Sequence, residues 1–220
     1  MTDDKRRLLE TFLDLVPFEG WTRRALRKAE HEANLPTGAA DEAFPRGPRD
    51  AVSAFAEFMD EQMAAKLAEM ALSDMRIRDR IRTAVLTRLE VMEPYRDALG
   101  HASRFMVFPQ YGSAALRSVS GTVDAIWRGI GDTSTDFNFY TKRAILAGVY
   151  LQVFRVWLGD DHPDHVRTGV TLDREIDRVM QIEKVKSRVR KLNIPVLLPL
   201  KVVSAMRYPA LRRPAGSSTD

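Results

Sequence analysis

Arg49-Asp-Ala-Val-Ser-Ala-Phe-Ala-Glu-Phe-Met-Asp-Glu-Gln-Met-Ala-Ala-Lys-Leu-Ala-Glu-Met-Ala-Leu72 sets Val52, Phe55, Phe58, Met59, Met63, Leu67 and Met70 at steps of three and four residues. Side chains so spaced share one face of an α-helix, so the stretch predicts a long amphipathic helix rather than a strand. Working toward the N-terminus, Lys5–Val16 reads as a first helix stopped by Pro17, and Thr22–Ala33 as a second with Thr22 near its N-cap. A short helical stretch follows Pro36 and ends before Pro45. Toward the C-terminus, Ile77, Ile81, Val85, Leu89 and Met92 make another stripe, and Pro94 opens a helix through Ala98–Met106. Gln110–Ile130, Phe139–Leu158 and Val166–Ile182 complete the set, with a capping loop at Asp132–Asn138. Phe139–Leu158 is apolar on nearly all sides after Arg143 and is expected to lie centrally. The fold class is therefore all-α, a helical bundle. Its first three helices have the layout of a helix-turn-helix module (1–48), followed by a larger ligand-binding bundle (49–183).

A chain of 220 residues, 45% apolar and without cysteine, is globular and excludes disulfide scaffolds and thiolate metal sites. Its longest mostly apolar run, Ile194–Val203, is cut by Pro195, Pro199 and Lys201 and is far shorter than the roughly 20 residues a membrane-spanning helix needs. The start, Met1-Thr-Asp-Asp-Lys5, has neither the layout of a secretory signal nor the acid-poor composition of a transit peptide, so the expected location is cytoplasmic. Charge is distributed unevenly: Lys184–Arg213 holds nine bases and no acid, whereas residues 1–183 hold 25 bases against 29 acids. Basic charge mixed with aliphatic side chains suits an anionic bilayer surface better than a nucleic-acid backbone. Residues 184–213 are accordingly expected to touch the inner membrane peripherally, through Lys191, Ile194, Val196, Leu197, Leu198, Leu200, Lys201 and Arg207, with 214–220 a disordered tail.

The chemistry-bearing residues are sparse. No phosphate-cradling glycine loop, nucleophile elbow or zinc-protease helix is present, and no Ser/His/Asp set stands out, so neither an enzyme nor a cofactor is expected. His162 and His165 lie among Asp160, Asp161 and Asp164, which superficially resembles a metal site but equally suits a polar turn before a helix. Met59, Met63 and Met70 are either core packing or the lining of a deformable cavity for a greasy ligand. A cavity is expected between the helices of 49–72, 98–106, 110–130 and 139–158, lined by Phe55, Met59, Met63, Met70, Phe105, Leu146, Val149 and Val153. The segment Asp124–Arg143 places Trp127, Phe139 and Tyr140 beside Asp132, Asp136, Lys142 and Arg143. It reads either as a buried Trp and two helix ends or as aromatic anchors rimmed by charge, the composition of an interaction hot spot.

The run Gly131-Asp-Thr-Ser-Thr-Asp-Phe-Asn-Phe-Tyr-Thr-Lys-Arg143, preceded by Asp124-Ala-Ile-Trp127 and followed by Val149-Tyr150 and Trp157-Leu158, strongly resembles the ninth of the coenzyme Q biosynthesis proteins, in the form of a bacterial member. Trp21-Thr-x-x-Ala25-Leu26, Phe44-Pro45-Arg-Gly47 with Asp50, and Arg174–Lys186 extend the likeness over nearly the whole chain. The resemblance implies a fold like the TetR transcriptional regulators, a lipid cavity holding an isoprenoid quinone, homodimerisation, and assistance to the demethoxyubiquinone hydroxylase. It also implies that Asp124, Trp127, Asp132, Asp136, Asn138, Phe139, Tyr140, Lys142 and Arg143 form the patch that docks the hydroxylase, and that a last amphipathic helix touches the membrane. Two departures stand out: Phe139 occupies a position where many eukaryotic members carry Trp, and Pro195 and Pro199 interrupt the final helix. The rival function is a TetR-like DNA-binding regulator. Against it, Thr37-Gly-Ala-Ala-Asp-Glu-Ala43, where a recognition helix would lie, has two acids and no base, whereas DNA contacts need Lys and Arg.

Overall fold

In the computed structural model, which describes residues 1–100, 112–132 and 137–191, the side chains of 112–114, 137–139 and 182–191 lying outside the description, the chain is helical and the described residues contain no strand. Helix α1 (Asp3–Glu19) starts where the Thr2 hydroxyl accepts from the Lys5 N–H, and Asp3 and Asp4 complement the partial positive charge of its first turn. Its buried side chains, Leu8, Leu9, Phe12, Leu13 and Val16, fall at helical spacing. The expected stop at Pro17 is not where the helix ends. A proline near the C-terminus costs only one intrahelical bond, the next turn closes through Gly20 N–H to Val16 O at 2.9 Å, and the chain leaves the helix at Gly20, whose φ is 68°.

Helix α2 (Arg23–Glu32) is capped by Thr22, whose hydroxyl accepts from the Ala25 N–H. The short α3 (Ala39–Ala43) borrows its cap from α2: Glu30 Oε2 accepts from the N–H groups of Gly38 and Ala40 at 3.1 and 2.7 Å. Gly47, at φ 66°, then turns the chain into α4 (Pro48–Ala68), with Pro48 at a position where its missing N–H removes no bond. The apolar stripe read from the sequence is buried as far as Leu67. The helix ends at Ala68 rather than Leu72, so Met70 emerges 37% exposed and Leu72 sits in a separate 3-10 turn, Leu72–Asp74.

Helix α5 (Ile77–Met92) buries Val85, Leu89 and Met92 but leaves Ile77 exposed. Pro94 lies in the 3-10 turn Glu93–Tyr95, after which residues 96–100 are helical again. Helices α6 (Gly112–Gly129), α7 (Phe137–Leu158) and α8 (Val166–Lys191) follow. The longest packing seam runs between α4 and α6. There the Leu67 side chain lies against the α6 backbone, so that a Cβ at Gly129 would stand 2.9 Å from Leu67 Cδ1. Helix α7 is not apolar on every side: Leu146, Val149, Tyr150, Val153 and Trp157 are buried, while Leu151, Gln152 and Arg155 face outward.

Residues Met1–Met180 form one compact unit, and a single apolar core runs from Leu8 through α4 to Ile176 without a break at residue 48. Gln181–Asp220 is assigned to a second unit. Its described part is the backbone of the last turns of α8, so helix continues through Lys191 rather than ending at Ile182. No described helix is long and apolar enough to cross a membrane.

Candidate functional site

Four helices of the first unit line an apolar pocket of about 290 Å³. Helix α4 contributes Val52, Phe55 and Ala56, α5 contributes Arg88 and Met92, α6 contributes Ala115, Ser118, Val119 and Thr122, and α7 contributes Tyr150, Leu151 and Phe154, with Leu99 beside them. Of the residues expected to line a cavity, Phe55 does. Met59, Met63, Leu146, Val149 and Val153 are buried in the surrounding core and are absent from the lining. Met70 is on the surface because α4 ends two residues earlier, and Phe105 lies outside the described residues.

The lining also includes the polar residues Arg88, Ser118 and Thr122, which the stripe pattern of α5 did not reveal. Arg88 falls between Val85 and Leu89 on the buried face and is only 2% exposed. Its Nε donates to Asp60 Oδ1 at 2.8 Å and its Nη2 to the Ala56 carbonyl at 3.2 Å. Thr122 donates its hydroxyl to the other Asp60 oxygen at 3.2 Å. Burial raises the Asp60 carboxyl above the usual carboxylate range despite the Arg88 charge, and burial likewise raises the Tyr150 phenol. Among the described residues, Nη1 of Arg88 and the hydroxyl of Ser118 are buried without a hydrogen-bond partner. A basic residue inside an otherwise apolar stripe was the available signal; its acidic partner on α4, 28 positions earlier, was not legible from spacing.

The second candidate lies where the C-terminal end of α6 meets the start of α7. Arg143 pairs with Asp124 at 2.7 Å and reaches Asp132 at 3.9 Å. Lys142 binds Asp132 at 3.0 Å and sits 5.3 Å above the centre of the Trp127 ring, and Arg128 pairs with Asp124 at 3.1 Å. Five of the expected patch residues, Asp124, Trp127, Asp132, Lys142 and Arg143, are thus brought together. Trp127, however, is 6% exposed and belongs to the core rather than to an open surface, whereas Tyr140 is 74% exposed. Asn138 and Phe139 are in the first turn of α7 with undescribed side chains, and Asp136 lies outside the described residues.

The histidine pair serves a junction of helices. His165 Nε2 lies 3.0 Å from Glu93 Oε2, the same oxygen that accepts from the Trp157 indole at 2.9 Å. Asp160 accepts from both the N–H and the hydroxyl of Thr168 at 2.8 Å, tying the turn to the start of α8. His162 and Asp161 are exposed, and no group of three or more His, Asp or Glu among the described residues is arranged to hold a metal ion. Of the membrane-contacting positions, Lys191 ends the described helix and Ile194, Val196, Leu197, Leu198, Leu200, Lys201 and Arg207 lie outside the described residues.

Residues 112–183, which include α6, α7 and most of α8, match the COQ9 family model. The mitochondrial ubiquinone biosynthesis protein COQ9 of Rattus norvegicus is 30% identical over 84% of this chain and 62% of its own length, and that of Homo sapiens is 28% identical over 84% and 60%. The probable Dictyostelium discoideum protein of the same name is 24% identical over 85% and 63%. The chain thus spans about six-tenths of the length of these relatives. In structure it resembles a TetR transcriptional regulator from Nitrosomonas europaea, with a TM-score of 0.65 at 18% identity over 80% of this chain and 98% of that one, a likeness of fold. With the family match across α6 to α8 and named relatives aligned over most of its length, the chain is similar to the COQ9 proteins and carries a TetR-like helical fold.

Proposed function

We propose that the chain is a non-catalytic accessory protein of ubiquinone biosynthesis that binds an isoprenoid quinone intermediate in the α4–α7 cavity and presents it to the demethoxyubiquinone hydroxylase at the membrane surface. The observation that carries the reading is the cavity itself, at the lower end of the roughly 300–1,000 Å³ usual for small-molecule sites and lined mainly by Val, Phe, Leu, Met and Tyr side chains. Its volume suits a ring headgroup with the first part of a tail. Exposed Tyr140 beside the Asp124–Asp132–Lys142–Arg143 network is the proposed contact for the hydroxylase, and the basic 184–213 segment the proposed membrane contact. A homodimer is part of the same reading.

DNA binding finds little support in α3, where Asp41 is paired with Arg23 and no base faces outward. Arg46, just beyond it, is held by Asp50 at 2.7 Å. Titration with an isoprenoid quinone and with random duplex DNA at moderate salt separates the two functions. Saturable quinone binding without DNA binding is expected; the reverse result would replace this reading with a regulator.

A further inference from the structure

We propose that the outward face of α2, together with the Phe18 side chain at the end of α1, is a second membrane-contacting surface, fitted to anionic phospholipid headgroups and separate from the 184–213 segment. The inference rests on the reading that the chain works at a membrane surface, and it adds a place on the folded body that meets the lipid. Arg24, Arg27, Lys28 and His31 are spaced so that they share one face of α2, and all four are exposed. The opposite face is buried through Ala25, Leu26, Ala29 and Glu30. Glu19, the last residue of α1, reaches Lys28 Nζ at 2.9 Å and Arg24 Nε at 3.9 Å, so the end of α1 lies beside this stripe. The residue before it, Phe18, is 89% exposed, the most exposed large apolar side chain among the described residues.

The stripe does not stabilise the helix that carries it. Arg23 and Arg24 occupy the first turn, where the partial positive charge of a helix start favours acids, and no acid is present there. Arg24 and Lys28 stand four residues apart, a spacing at which like charges repel. Arg23 has a local role, donating to Asp41 at 3.0 Å and to the Pro45 carbonyl at 2.8 Å. Arg24 does not: its side chain is 84% exposed with Glu19 no closer than 3.9 Å, and Arg27 has no ion-pair partner among the described residues. Charges that oppose the stability of their own element mark a functional surface. Their sign calls for an anionic partner, and Phe18 decides which. A phenyl ring held out in water gains by entering the headgroup region of a bilayer, among bases that pair with lipid phosphates. A duplex backbone offers that ring no apolar site. Three bases and one ring are too weak to hold the chain alone, since stable attachment takes two signals; this face adds to the attachment by 184–213.

Because the chain contains no cysteine, Phe18→Cys gives a single site for an environment-sensitive nitrobenzoxadiazole label, and Asp4→Cys, near the other end of α1, supplies the control. Both are made in the full chain and mixed with phosphatidylcholine vesicles that contain or lack phosphatidylglycerol. Emission from position 18 should rise and shift to the blue with the anionic vesicles alone, and emission from position 4 should not change. In unlabelled chains, Phe18→Ser should weaken binding to the anionic vesicles roughly threefold. Arg24→Gln combined with Arg27→Gln should weaken it about fivefold or more, the contribution of one base at an anionic surface. The melting temperature should hold for Phe18→Ser and hold or rise for the arginine pair, as repulsion within α2 is relieved. No response at position 18 while the chain still binds vesicles would overturn this surface and leave the 184–213 contact standing. An equal response at both positions would overturn it as well. A response at position 18 to duplex DNA but not to vesicles would assign the stripe to nucleic acid instead, and a chain that ignores vesicles altogether would remove this surface together with the membrane reading.

Discussion

Glu30 and Asp160 each spend a buried carboxylate on backbone N–H groups that a helix start would otherwise leave unpaired. Replacing Glu30 by Ala should cost about 1–3 kcal/mol and loosen α3 selectively, measurable as faster amide exchange at Gly38 and Ala40. For Asp160, burial alone would push the carboxyl up, but donation by the Thr168 N–H and hydroxyl, with help from His162 and His165, outweighs it and holds the group below the usual carboxylate range. A depressed folded-state pKa means that the ionised form stabilises at neutral pH. That contribution is lost as pH falls through the ordinary carboxylate range, near 4, toward the lower folded value. Asp160→Asn should therefore be less stable than wild type near pH 7, and the gap between their melting temperatures should close on acidification below about pH 4. Neither role was legible in the sequence, because the groups these residues serve lie eight to ten positions away across a turn and not at a fixed helical step. Arg88 was hidden for the same reason: its meaning comes from Asp60 on another helix.

At the scale of the element, the α6–α7 junction joins a buried half to an exposed one, and the two halves should respond differently to truncation. Trp127→Ala removes a core side chain and should cost about 3–5 kcal/mol, lowering the melting temperature and every activity together. Tyr140→Ala, on an exposed side chain, should leave stability within about 0.5 kcal/mol. If the junction docks the hydroxylase, the same change should weaken pull-down of that partner by roughly 2 kcal/mol. A loss of stability on Tyr140→Ala, or undiminished pull-down, would remove it from the proposed interface. Among the described residues helix existence was legible from the three-and-four spacing, because each helix must bury one face; most of the expected Ala98–Met106 helix lies outside them. Boundaries were less so. Pro17 read as a stop, yet one lost bond in a last turn is tolerated, and the end is placed by the backbone of Gly20. Met70 continued the α4 stripe on paper, but the helix ends at Ala68 and places it on the surface. The cavity lining failed likewise: the stripe marked Met59 and Met63 as inward-facing, but periodicity does not tell core packing from a cavity wall.

For the whole molecule, the charge asymmetry between residues 1–183 and 184–213 makes a separable prediction. Full-length chain should float with anionic liposomes, and a chain ended after Glu183 should stay in solution, since each base that reaches the surface contributes up to about 1 kcal/mol. Equal flotation of both would refute membrane attachment by this segment. The central claim is that the α4–α7 cavity holds an isoprenoid quinone, and native mass spectrometry of the chain purified without detergent tests it most directly. The wild type should retain a prenylated quinone at one per chain. Val119→Phe, which fills the cavity wall on α6, should lose it while keeping its melting temperature. A wild-type chain free of lipid, or one whose bound lipid survives Val119→Phe undiminished, would contradict the account.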